Sequence, residues 1–206
     1  MTTSATPASF LADPPLDEAV QQLYDRDLEG LGYVMNLSKV WAQSPDALTM
    51  MSDAMRMASD LSDLDADERA LLVVATASTM GDAYCSLSFG AKLARVVGEE
   101  TTARVVLGDD AQLTPHGRLL AAWARQVVRD PNATTADQVQ ALRAAGFEDR
   151  QIFGLTLFVA LRVLFSTVND ALGASPDAAL AASTPQAVVE AVDFGRPPST
   201  TVHQTA

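Results

Sequence analysis

Between residues 15 and 172 the sequence is patterned as helix almost throughout. Ala, Leu, Met and Arg are frequent, and no Val/Ile/Tyr alternation reaches strand length. A chain without a strand signal has to build its core by packing helix on helix, so the expected fold class is all-α, a single helical domain. The segment 66–79 places Leu71, Leu72, Val73, Val74 and Ala75 in succession. A helix with that pattern is apolar on nearly all sides and belongs at the centre. The segment 148–172 is the most apolar of all. Its best stretch, 155–168, is interrupted by Arg162 and reads as too short to span a bilayer.

Punctuation residues divide the chain. A first helix is expected over 15–28, with Pro15 at the first helical position, Leu16, Val20, Leu23 and Tyr24 as its apolar stripe, and Gly30 and Gly32 ending it. Further helices are expected over 37–42 and 46–59, the second rich in methionine. Asp65 and Glu68 have the spacing of a capping box ahead of 66–79. Asp82 reads as the N-cap of 83–97, which Gly98 closes. Thr114-Pro115 opens a helix to Arg129, Thr135 caps 136–145, and Gly173 stops the long helix. The core is thus expected to hold seven or eight helices, and the extension after it one marginal helix over 185–192. The organisation expected is a mobile segment 1–14, a helical domain 15–173, and an extension 174–206 with a Pro-rich tail; no sequence repeat is present.

Composition excludes several functions. The 26 acidic against 14 basic residues leave a net charge of -12, and no Lys/Arg-rich run offsets it, so a nucleic acid would be repelled. One cysteine and two histidines exclude an internal disulfide and a Cys/His zinc cluster. No metal-ligand spacing, phosphate loop or nucleotide fingerprint occurs, so no metal or cofactor is expected. The start, MTTSATPASFLADPP, has neither a basic n-region nor the apolar run of a signal peptide. A soluble, cytoplasmic protein with no membrane partner is the expectation.

The informative segment is 64–98, LDADERALLVVATASTMGDAYCSLSFGAKLARVVG. Leu64, Glu68 and Arg69, the apolar helix after them, and Gly81, Tyr84 and Cys85 follow one family pattern. So do GYVMNLSKVWAQSPDAL at 32–48, LTPHGRLLAAWARQVVRDP, LRAAGFEDRQIFGLTLFVAL and the VDFGRPP near the end. Over roughly 14–198 the chain resembles the alkyl hydroperoxidase D-like and carboxymuconolactone decarboxylase superfamily. The resemblance implies an AhpD-like all-α fold and a homo-oligomer, a trimer or hexamer. It also implies a small-molecule substrate.

The departures fall on the catalytic positions. Asp82 stands where the family's hydroperoxidases have the first cysteine of a pair, Phe89 where they have a histidine, and Ala70 where a second glutamate would serve proton transfer. The family's dithiol cycle needs two thiols, so within one chain it cannot run here. A one-cysteine thiol peroxidase with an antioxidant role can, using Cys85 and an external thiol reductant. The alternative is a non-redox decarboxylase, lyase or isomerase in which Asp82 and Cys85 transfer protons while Arg162 holds a carboxylate. A non-catalytic member of the family is the third reading.

The candidate catalytic residues are therefore Cys85 and Asp82, and the candidate substrate-binding residues Tyr84, Phe89 and Arg162. Cys85 lies in the first turn of its helix, which favours a thiolate. Asp82 one turn earlier and the apolar Phe89 one turn later both oppose it, so a weakly acidic thiol is expected. Each residue also has a plainer reading: Cys85 as core, Asp82 as a helix cap, Tyr84 as a half-buried structural tyrosine, Lys92 as a solvated lysine on the face of Cys85 and Phe89. Arg162 sits among apolar neighbours and needs an anion, with Asp82, a substrate carboxylate or a subunit interface as the options. Ser166, Thr167 and Asn169 are placed to line the same pocket. Met50, Met51, Met55 and Met57 read as a plastic packing surface, His116 as exposed, and His203 as part of the tail.

Overall fold

The computed structural model describes residues 9–200. Among them are eleven α-helices, one 3-10 turn and no strand. The helices are α1 (Glu18–Leu31), α2 (Asn36–Trp41), α3 (Pro45–Ser62), α4 (Ala66–Met80), α5 (Ala83–Val97) and α6 (Glu99–Val106). They continue with α7 (Pro115–Arg129), α8 (Ala136–Ala144), α9 (Asp149–Ala171), α10 (Ala178–Ser183) and α11 (Gln186–Ala191).

The centre is α4, in which every residue from Ala70 to Ala77 is buried. It packs against α5, α6, α7 and α9, while α3 lies along α9 and α11 closes over α5 and α6. Burying a side chain such as Leu72 contributes about 1.5–3 kcal/mol, which is why this all-round apolar helix is internal. Its start is the expected capping box: Asp65 accepts from the backbone N–H groups of Asp67 and Glu68 at 2.8 Å, and Glu68 accepts from that of Asp65 at 3.0 Å. Glu68 also meets His116 at 2.7 Å, tying the beginning of α4 to that of α7. His116 is exposed, as expected, and stacks on Phe147.

The structure corrects several boundaries. The first helix begins at Glu18, not at Pro15, because the Asp17 carboxylate accepts from the Val20 N–H and is the cap; Gly32, at φ 80, ends it, with Gly30 inside. Helix α3 runs on to Ser62. Two helices were not expected at all. Helix α6 (EETTARVV) is short, rich in β-branched residues and has no side-chain cap, and α10 has only six residues. Helix α9 is 23 residues long with a mean hydropathy of 1.8 in its most apolar window, long and apolar enough to cross a membrane by length and composition alone, a test that the core helix of a soluble protein also passes. It carries the buried Arg162 and packs against α3, α4 and α7.

The two ends of the described chain are tied to the bundle. Phe10 donates its N–H to the Leu172 carbonyl at 2.9 Å, and Arg196 lies 4.5 Å from the Phe10 ring. The extension returns along α2, where Asn36 donates its backbone N–H to Asp177 and its side-chain amide to the Ser175 carbonyl, each at 3.0 Å. The first eight residues of the segment expected to be mobile lie outside the described residues.

Candidate active site

Helix α4 ends in a left-handed turn at Gly81, φ 81, and Asp82 then caps α5 by accepting from the Cys85 N–H at 2.9 Å. That cap fixes the register of α5 and puts Cys85 in its first turn, facing α9. Cys85 is only 3% exposed, yet it lies on the wall of a cavity of about 620 Å³ formed by α1, α2, α3, α5 and α9. Arg162 from α9 donates from Nη2 to Cys85 Sγ at 3.0 Å and from Nη1 to Met55 Sδ at 3.5 Å. Its guanidinium sits 5.1 Å from the Phe89 ring and 5.0 Å from that of Phe165. Phe165 is in turn stacked on Trp41, whose indole N–H donates to Asn169 at 2.8 Å. The couple is thus held by a ladder of rings running from α5 through α9 to α2.

Cys85 is pushed up to about 12: burial is the largest influence, the Arg162 guanidinium opposes it, and the Asp82 carboxylate adds to it. At neutral pH Cys85 is a thiol. The weak acidity expected from sequence is thus present, with desolvation as the leading cause. Asp82 is fully buried, its second oxygen Oδ2 has no partner, and it does not reach the cavity wall. It sits behind Cys85 and acts through it.

The other candidates divide. Tyr84 borders the cavity, but its hydroxyl donates to the Asp177 carboxylate, and burial together with Asp177 holds its pKa well above the usual 10. Its visible role is to fasten the C-terminal extension to α5. Phe89 forms part of the wall beneath Lys92, whose Nζ is 4.1 Å from the ring centre. Among the described residues Arg162 has no carboxylate within ion-pair distance, so Asp82 is not its partner. Ser166 and Asn169 are buried behind the wall and Thr167 is exposed, contrary to the expectation that they line it.

Sequence reasoning missed Trp41, Phe165 and the cavity-facing role of Met55. Phe165 had a signal, since it lies three residues past Arg162 on the same helical face. Trp41 had none. His203 lies outside the described residues. Among the described residues no three His, Cys, Asp or Glu side chains come together as a metal site.

The all-α bundle that carries this thiol–arginine contact has the alkylhydroperoxidase AhpD-like fold, as its likeness to solved structures shows. The particular relatives are solved structures. A peroxidase-related protein with an AhpD core from Ralstonia eutropha JMP134 is 22% identical, with a TM-score of 0.72 over 85% of this chain and 96% of that one. A peroxidase-related protein from Silicibacter sp. TM1040 is 23% identical, with a TM-score of 0.73 over 86% and 96%. The debrominase Bmp8, solved as a cysteine-to-alanine variant in complex with 2,3,4-tribromopyrrole, is 14% identical with a TM-score of 0.65 over 84% and 95%. No protein-family model and no curated protein matches the chain.

Proposed function

We propose that the protein is a thiol-dependent enzyme in which Cys85 is the reacting group and Arg162 stabilises its thiolate. The observation that carries this is the 3.0 Å contact from Arg162 Nη2 to Cys85 Sγ on the wall of the cavity. A thiol pushed up to about 12 is protonated at neutral pH, which suits a proton donor better than a peroxide nucleophile. The favoured reading is therefore non-redox. Cys85 gives its proton to an organic substrate, as in a decarboxylase, lyase or isomerase step. Arg162 holds the resulting thiolate until it is reprotonated. The debrominase Bmp8, bound to a small halogenated aromatic, lends support by analogy to a compact ring as the substrate body.

A second reading is favoured by the same arginine contact and by the peroxidase-related descriptions of two structural relatives. Here the Cys85 thiolate attacks an organic hydroperoxide. One oxygen is transferred to give a sulfenic acid, and an alcohol leaves with the proton. Two equivalents of an external thiol then restore Cys85 and release water and a disulfide. A homo-oligomer belongs to the same proposal, supported by the exposed Phe153 and Leu164 of α9, and a cytoplasmic location is proposed with it.

The test is the rate of Cys85 modification against pH, read by intact mass, with iodoacetamide and with cumene hydroperoxide plus a sulfenic-acid trap. Cys85→Ser is the control. Under the favoured reading both reactions are slower than those of a free cysteine at pH 7 and accelerate about tenfold per pH unit above it, following the thiolate fraction. Rapid, saturable trapping of a sulfenic acid at pH 7 would sink that reading and establish the peroxidase.

A further inference from the structure

Among the described residues two arginines are well buried, and they are treated differently. Arg125 is paired with both oxygens of Asp110 at 3.0 Å and also donates to the Val105 carbonyl and to Thr79. That is how a buried structural guanidinium is satisfied. Arg162, only 6% exposed, has two sulfur atoms and two aromatic rings around it and, among the described residues, no carboxylate and no partner for its Nε. A guanidinium does not shed its charge, so the fold holds an uncompensated cation at a cavity wall.

It is not alone. Lys92, which is solvent-exposed, lies over the same Phe89 ring, and among the described residues it too has no carboxylate within ion-pair distance. Burial, then the charge of Arg162, lower its pKa. Arg26 and Arg56 line the exposed mouth of the same cavity, Arg56 paired with Asp53, in a molecule of net charge -12. The two acids on the wall are occupied: Asp53 pairs with Arg56 at 2.7 Å and Asp27 accepts from the Met35 N–H at 2.9 Å. The remaining wall is largely apolar, with Leu48, Met55, Phe89 and Phe165, and a volume of about 620 Å³ fits a small organic molecule rather than a bare ion.

We propose that the cavity binds a small organic anion with an apolar body, its carboxylate seated between Arg162 and Lys92 beside Cys85. This rests on reading the cavity as the substrate site and specifies the class of substrate. The carboxylate supplies the missing partner of Arg162 and relieves the repulsion between the two cations. The body packs on the rings and on Met55. Cys85 is then adjacent to the carbon next to the carboxylate, where a proton can be delivered.

The experiment is calorimetric binding to the full chain, with thermal unfolding in parallel. The probes are benzoate, phenylacetate and hexanoate, their neutral amides, and inorganic phosphate. At least one carboxylate is expected to bind at millimolar concentration or below and to raise Tm, about tenfold tighter than its amide or phosphate. Arg162→Met is expected to lose the preference for the carboxylate over the amide, and the partly exposed Lys92→Met to weaken it. Cys85→Ser is expected to retain it, which separates the binding claim from the chemistry of the thiol. Removing an uncompensated buried charge should leave ligand-free Arg162→Met at least as stable as the native protein, so its loss of binding will not be a folding failure. Failure of all three carboxylates to bind, equal binding of acid and amide, phosphate binding as tightly, or unchanged selectivity in Arg162→Met would each overturn the proposal.

Discussion

At the scale of single residues, the site is a contest over one proton. Asp82 serves α5 as a cap through one oxygen while its charge discourages ionisation of Cys85. Asparagine caps a helix about as well as aspartate but carries no charge. Asp82→Asn is therefore expected to keep the fold and lower the Cys85 pKa from about 12, seen as faster alkylation at a given pH. Arg162→Met should move it the other way. Asp82→Ala should in addition lose about 1 kcal/mol of stability with the cap, measured by urea unfolding. The thiol's weak acidity was legible in the sequence through Asp82 and Phe89, and so was the oddity of a charged residue at 162. What was not legible was that Arg162 meets Cys85 itself. That contact joins residues 77 positions apart, and nothing local to either one encodes it.

At the scale of elements, the helix starts that rest on a Ser/Thr/Asp cap in clear sequence context were legible, unlike that of α1, whose Asp17 cap was passed over for Pro15. Asp65, Asp82, Thr114 and Thr135 each cap the helix their sequence context announces. Helix α6 was invisible because its order comes from packing on α5 and α11, not from propensity or a cap. Packing also explains a glycine with no turn to make. Gly154 of α9 lies where α9 crosses the end of α3, and a Cβ there would stand 2.7 Å from both Leu61 Cβ and the Ser62 backbone nitrogen. Gly154→Ala is expected to destabilise the protein by about 1–3 kcal/mol, despite alanine's better helix propensity, because backbone cannot yield as a side chain would. Since α3 carries Met55 and α9 carries Arg162, the variant should also alter Cys85 reactivity. Unfolding and alkylation measured on the same sample check both effects.

At the scale of the whole molecule, the return of the chain ends across the bundle links stability to pH. Asp170, near the end of α9, is pushed up to about 7, chiefly by burial and then by the charge of Asp82, with Arg196 opposing. Arg196 belongs to the returning extension, donates to the Asp170 carbonyl at 3.0 Å and lies over Phe10. An unfolded aspartate titrates near 4, so between about pH 4 and about pH 7 the folded protein binds a proton that the unfolded chain releases. A raised acid of this kind stabilises the native state relative to its ionised form at low pH, and that contribution is lost as pH rises through the window. Stability at pH 8 should therefore lie below the value the protein would have without this group. Asp170→Asn, which keeps the carbonyl that Arg196 uses, should be more stable than the native protein at pH 8 and approach it near pH 4. Urea unfolding of both proteins across that range measures the difference, and a gap that does not close toward low pH would mean that Asp170 is not the group responsible.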